Sequence, residues 1–157
     1  MRVVFRSYMD LALEEAQMAA ARGEVPVGAV LVSPGGEVLA RAGNRTREFS
    51  DPSAHAEMLV IRAACAALKS ERLPGHVLYV TLEPCPMCAA VIGAARIARL
   101  VYGADDPKSG GVSVGPRLFS HSQCHHRPEV IDGVGEREAS ALLTRFFAAR
   151  REPREGF

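Results

Sequence analysis

Residues 53–57, Ser-Ala-His-Ala-Glu, and 83–88, Glu-Pro-Cys-Pro-Met-Cys, constrain this chain more than any other part of it. Together they read His55-x-Glu57 and Pro84-Cys85-x-x-Cys88. One imidazole and two thiols suit a borderline-soft divalent ion, and three donors leave the fourth tetrahedral corner to water. A structural zinc normally takes all four donors from protein, so the ligand count argues for chemistry. The fold must therefore bring position 55 beside positions 85 and 88.

The spacing says how. His55 and Glu57 are two apart, and on the flank of a helix they would point to nearly opposite sides. They converge only on a site beyond the helix's N-terminal end, toward which side chains tilt. Asp51-Pro52-Ser53 supplies that end, with Asp51 or Ser53 as the expected N-cap and proline tolerated in the first turn. Cys85 and Cys88 do share a helical face. They follow the strand-like run 77–82 and open a second helix. Two helix N-termini then face one ion, their positive ends favouring thiolates and any anionic intermediate.

With 157 residues, one domain over 1–157 is expected, its core at about 7–151 and a frayed tail at 152–157. A net charge of +1 provides no general basic field, so any nucleic-acid binding rests on local patches. Met-Arg-Val-Val-Phe-Arg at the start lacks the apolar segment of a secretory signal, and no apolar run reaches membrane-spanning length. The expectation is a cytoplasmic protein without membrane attachment, where thiols stay reduced. For the four cysteines, metal or redox use is then expected over disulfides.

Helical spacing of Met9, Ala12, Leu13, Ala16 and Ala20 predicts a helix over 7–22, stopped at Gly23. Residues 25–33 and 37–43 read as two strands joined at Pro34-Gly35-Gly36. The helix at 54–68 is apolar almost all round except at Arg62, which predicts burial, with Cys65 in the core beside Met58, Ile61 and Leu68. A strand at 77–82, a helix at 86–95 and a strand at 98–103 follow. This alternation predicts an α/β sheet with a parallel portion. Residues 104–127 lack periodicity and read as a long functional loop, leading to a short strand at 128–131 and a helix at 135–151.

Glu24-Val-Pro-Val-Gly-Ala-Val30, Gly43-Asn-Arg-Thr46, Asp51–Arg62, Leu78–Cys88 and Tyr102-Gly-Ala-Asp-Asp-Pro-Lys108, with the metal motif, resemble the bacterial tRNA-specific adenosine deaminases. These belong to the zinc-dependent cytidine/deoxycytidylate deaminase superfamily, and the resemblance covers roughly 7–151. It implies a three-layer α-β-α fold with a mixed sheet of about five strands and helices on both faces. It also implies one Zn2+ per subunit on His55, Cys85 and Cys88, with Glu57 as the catalytic proton carrier. Substrate contacts carried over are Asn44, Val27, the Ala56 amide, the Pro84 carbonyl, Asp106, Lys108 and Phe147, with Glu83 structural. Of Phe146 and Phe147, which lie near Arg145, Arg150 and Arg151, one is expected in the core, and Phe147 at the pocket. The implied reaction converts the wobble adenosine of an arginine tRNA to inosine, releasing ammonia. The implied partners are the tRNA anticodon loop and a second identical subunit that helps form the RNA site.

Two stretches depart from that pattern. Val112–His125 lacks a Gly-Ser-Leu-acidic run, and His125-His126-Arg127-Pro128 stands where Asn-His-Arg-Val is usual. Other readings compete. A guanine or small-nucleotide deaminase shares the zinc core. Cys124-His125-His126 could close the metal site and make a non-enzymatic module. Cys85-x-x-Cys88 alone would fit a thiol oxidoreductase, but that leaves His55-x-Glu57 unexplained.

Overall fold

Ser7 begins the first helix by a reciprocal cap: its Oγ accepts the Asp10 amide at 3.1 Å, and its own amide donates to Asp10 Oδ2 at 2.9 Å. The computed structural model describes residues 7–151, so the expected frayed tail at 152–157 lies outside the described residues. The helix so started, α1 (Tyr8–Ala21), buries Met9, Ala12, Leu13, Ala16 and Ala19, and Gly23 at φ +82° takes the chain off its end. Strands β1 (Gly28–Val32) and β2 (Val38–Gly43) form the expected hairpin. β1 starts later than the sequence suggests because the Val27 amide turns back to the Val25 carbonyl instead of joining the ladder.

Next come α2 (Ala56–Leu68), β3 (Val77–Leu82), α3 (Pro86–Ala94), β4 (Arg99–Ala104), β5 (Glu129–Ile131) and α4 (Glu136–Arg151). The sheet order is β2-β1-β3-β4-β5. β1 runs antiparallel to both neighbours, whereas β3, β4 and β5 are parallel. Alternate residues of β1 serve opposite faces. Ala29 and Leu31 join Val60, Ile61, Ala89, Ile92 and Tyr102 under α2 and α3. Val30 and Val32 join Met9, Leu13, Val101 and Ala139 under α1 and α4. β1 is buried throughout, which is why it reads as an unbroken apolar run. The architecture is the expected three-layer α-β-α sandwich around a mixed sheet.

Three details correct the sequence reading. α2 is not wrapped by core: Ala63, Ala66 and Ala67 are exposed and Leu68 is 47% exposed. Much of its apolar character is alanine, which costs little to leave in water. Cys65 is only half-buried, packing on the core from its edge. On α4, Ala139 is buried, Leu142, Leu143 and Phe146 are half-buried and Phe147 is exposed, so neither phenylalanine is fully in the core. The 104–127 excursion holds one short 3-10 turn, Leu118–Ser120, which buries Phe119 against the α3 side of the sheet.

The closeness of α1 to the hairpin depends on Gly28, where a Cβ would lie 1.9 Å from the Ala12 carbonyl oxygen and 2.6 Å from the Ala16 nitrogen. Gly28→Ala must push α1 off the sheet, and a loss of about 3 kcal/mol in urea-denaturation stability is expected.

Candidate metal centre and catalytic site

Both halves of the motif sit at helix starts. His55 is the N-cap of α2, with extended backbone at φ −73° and ψ 152°. Cys85 is the N-cap of α3, followed by Pro86, whose missing N–H is harmless there. The sequence expectation of Asp51 or Ser53 as the cap is corrected. Asp51 Oδ1 instead accepts the amide and hydroxyl of Ser53, at 2.8 and 2.7 Å, in a turn ahead of the helix. The capping role passes to Asn44 at the end of β2, whose Oδ1 accepts the Ala56 amide at 2.8 Å. That bond releases the His55 side chain for other work.

His55 Nδ1 lies 3.6 Å from Cys85 Sγ and 3.5 Å from Cys88 Sγ. Metal–ligand bonds of about 2.05 Å to nitrogen and 2.3 Å to sulfur, at the tetrahedral angle, put those atoms about 3.6 Å apart. The donor set therefore fits zinc in both chemistry and spacing. Among the described residues these three form the sole cluster of metal-donor side chains. The alternative in which Cys124-His125-His126 closes the site is overturned. Cys124 Sγ donates to the His126 carbonyl, and His126 Nε2 bonds the Ile97 carbonyl. These residues line a groove of about 630 Å³ beside Ala90, Gly93 and Ala94 of α3, apart from the donor cluster.

The three donors perturb one another's protons. The hydrogen bond from Cys88 to Cys85, opposed by burial and helped by His55, holds the Cys85 thiol down at about 4. Cys88, the donor in that pair, is pushed up by the bond and by burial. His55 is raised by its bond to Cys85. Glu57, in the first turn of α2, is 4% exposed and outside the donor cluster. Burial raises its pKa, against the lowering pull of the backbone, His55 and Cys88. It stands beside the donors without being one of them.

Around this centre the predicted contacts divide. Asn44 is buried, its amide donating to the Val27 carbonyl at 3.1 Å and its own carbonyl accepting from Arg22 at 3.2 Å. Its Nδ2 makes no hydrogen bond among the described residues. Every fully buried side-chain nitrogen and oxygen among the described residues has a partner, so Nδ2 opens on accessible space. The Ala56 amide, expected to face substrate, is already engaged by Asn44. Val27 is part of the core, and the buried Pro84 carbonyl accepts the Gly111 amide at 2.8 Å. Asp106 Oδ1 accepts the Lys108 and Ser109 amides, forming a turn that leaves Lys108 exposed. Phe147 is 43% exposed on α4, where its ring meets Phe146 edge-on, and Arg150 stacks over Phe146 at 4.4 Å. No bond among the described residues draws Lys108 or Phe147 to the metal donors.

Sequence reasoning missed a buried acid on one flank. Glu24 accepts the amides of Arg47 and Glu48 and the Thr46 hydroxyl, fixing the loop between Asn44 and His55. The available signal was an acid between Gly23 and an apolar run, which says nothing about partners more than 20 positions away.

Fold and site together define a zinc-dependent hydrolytic deaminase: three donor side chains spaced for zinc, with a buried carboxyl beside them, on an α-β-α sheet. Residues 4–104 match the cytidine and deoxycytidylate deaminase zinc-binding region. The tRNA-specific adenosine deaminase of Agrobacterium fabrum is 59% identical over 144 residues, covering 92% of this chain and 94% of the relative. That of Bacillus subtilis is 46% identical over 148 residues, covering 94% and 91%. A solved structure from a study of tRNA:A34 deaminases superposes with TM-score 0.85 at 60% identity, covering 87% of this chain and 98% of that one. The chain belongs to the cytidine and deoxycytidylate deaminase family, among its tRNA-specific adenosine deaminases. A guanine deaminase from Nitrosomonas europaea, at 24% identity and TM-score 0.73 over 94% of this chain and 87% of its own, shares the fold.

Burial works to raise the Glu24 carboxyl, and the Glu48 and Arg47 amides outweigh it, so its pKa is lowered on balance. A carboxyl lowered on folding stabilises above its unfolded value of about 4.3, and that stabilisation is lost as pH falls through the folded value. Glu24→Gln is expected to cost about 2 kcal/mol at neutral pH. Denaturation curves at a series of pH values should show the gap from wild type narrowing below about pH 4.

Proposed function

We infer that this chain hydrolyses the wobble adenosine of an arginine tRNA to inosine, releasing ammonia. The observation that carries the reading is the buried, uncoordinated Glu57 beside a three-donor set whose spacing suits zinc. Relatives named for the tRNA activity, similar over nearly their full length, supply the substrate.

His55, Cys85 and Cys88 would hold the ion, which when bound lowers the pKa of a water to about 7. Glu57 moves the protons. It accepts one from the attacking water and delivers it to N1 of the adenine, which makes C6 electrophilic. Oxygen adds at C6. Glu57 then takes the remaining proton from the added C6 hydroxyl and passes it to the exocyclic amine, the C6–N bond breaks as the C6 carbonyl forms, and ammonia leaves. One carboxyl serves as base and acid in turn, and a pKa raised by burial keeps it able to hold the proton between steps. The open Nδ2 of Asn44 is a hydrogen-bond donor at the pocket wall, suited to an acceptor on the nucleoside. A base in an anticodon loop is already unpaired, so entering the pocket costs less than leaving a duplex. Lys108 and the Phe147 edge of α4 are proposed to meet the RNA by phosphate contact and stacking. A homodimer and a cytoplasmic setting complete the proposal. No helix among the described residues is long and apolar enough to cross a membrane.

The test is a parallel incubation of zinc-loaded protein with an arginine tRNA bearing A at the wobble position, and with guanine, cytidine and deoxycytidylate. Inosine in the tRNA alone is expected. Ammonia from a small substrate alone would transfer the assignment to a free-base or nucleotide deaminase. Glu57→Ala should keep its zinc while turnover falls by about a thousandfold or more. A variant near the wild-type rate would remove Glu57 from the mechanism.

A further inference from the structure

We propose that Glu83 is a positioning residue for the deamination reaction, its carboxylate fastening residues 105–114 onto the strand–helix junction that carries Cys85 and Cys88. The proposal rests on the functional reading above and goes beyond its zinc ligands and Glu57.

Glu83 is 2% exposed, and both of its oxygens are used. Oε1 accepts the Asp106 amide at 3.1 Å and the Ser113 hydroxyl at 3.0 Å. Oε2 accepts the amides of Val112 at 3.1 Å and Ser113 at 3.0 Å. The donors in these bonds are all in the loop after β4. A carboxylate ringed by backbone N–H groups makes strong, charge-assisted bonds, and here they reach across about 30 positions of sequence.

The loop lies against the metal-binding junction with no space to spare. The Gly111 amide donates to the Pro84 carbonyl at 2.8 Å. A Cβ on Gly111 would come within 2.6 Å of the Pro86 nitrogen, and one on Gly110 within 2.3 Å of Glu83 Oε2. Ser113 passes the network on, its hydroxyl bonded to Tyr102 and Asp105, so the loop is tied at both ends of its first turn. Within that turn Asp106 fixes the amide of Lys108, the exposed cation proposed to meet a phosphate. Glu83 is the side chain that bonds this loop at Asp106, Val112 and Ser113 together, beside the single backbone tie from Gly111 to Pro84. Removing that carboxylate loosens the loop and leaves His55, Cys85 and Cys88 as they are.

The test uses zinc-loaded Glu83→Gln and Ser113→Ala beside wild type. Gln presents an NH2 group to amides that need an acceptor. Zinc content should stay at the wild-type level. Amide hydrogen exchange at Asp106, Val112 and Ser113 should quicken about tenfold or more in Glu83→Gln. KM for the tRNA should rise about tenfold, with kcat within about threefold of wild type. Ser113→Ala, which loses one bond to Oε1, should shift both readouts the same way by less, and it decides the matter should the Gln variant fail to fold. Unchanged exchange, a fall in kcat with KM unmoved, or loss of zinc together with loop protection would each overturn the proposal. Wild-type protein inactive on the tRNA would instead fail the functional reading, and the exchange rates alone would then decide the role of Glu83.

Discussion

Two helices in this chain must begin at the same point in space. His55 and Cys85 are each the residue before a first helical turn, and their donor atoms lie 3.6 Å apart. Much of the surrounding fold serves that convergence. β3 delivers Cys85 from the middle of the sheet, flanked by β1 and β4. The start of α2 has no strand leading directly into it, so it is fixed sideways, through Asn44 at its first amide and Glu24 beneath the intervening loop. Helix termini also contribute partial positive charge where thiolates collect, so the placement is electrostatically favourable as well as geometrically necessary.

Three buried glutamates show how surroundings divide one side chain among different tasks. Glu24 and Glu83 are lowered because backbone amides outweigh the cost of burial. Glu57, whose interactions with Cys88, His55 and the backbone are too weak to cancel full burial, goes the other way. The first two are favoured as anions at neutral pH and organise loops, whereas burial disfavours the charged form of the third. All three are nearly inaccessible, at 2%, 2% and 4% exposure, so burial alone does not distinguish them. What distinguishes them is the number of N–H groups within reach.

The metal-donor cluster was legible in the sequence because ligand chemistry tolerates few spacings, and His55 with Cys85-x-x-Cys88 satisfies them. The layer order was legible too, since β1 reads as an unbroken apolar run and strands alternate with helices after it. The cap was misassigned to Asp51 or Ser53 because Asn44, which does that work, stands 12 positions upstream of the amide it bonds. The exposed end of α2 was misjudged because alanine counts as apolar in a helical pattern while burying almost nothing. Glu83 was expected to be structural, but its partners were hidden: they lie in a loop with no periodicity, and hydrogen bonds to backbone amides leave no mark on residue identity. The same holds for Cys124 and His126, whose bonds to backbone carbonyls resemble ligand spacing when only the letters are seen.

Parallel pairing of β3 with β4 has an evolutionary consequence. Both strands end on one edge of the sheet, so whatever follows β4 is delivered beside whatever follows β3. The excursion after Ala104 therefore packs on the turn after Leu82, where the Gly111 amide meets the Pro84 carbonyl. The guanine deaminase only 24% identical shares this frame. The pairing also makes the segment with the least internal pattern the one most exposed to selection for a new guest.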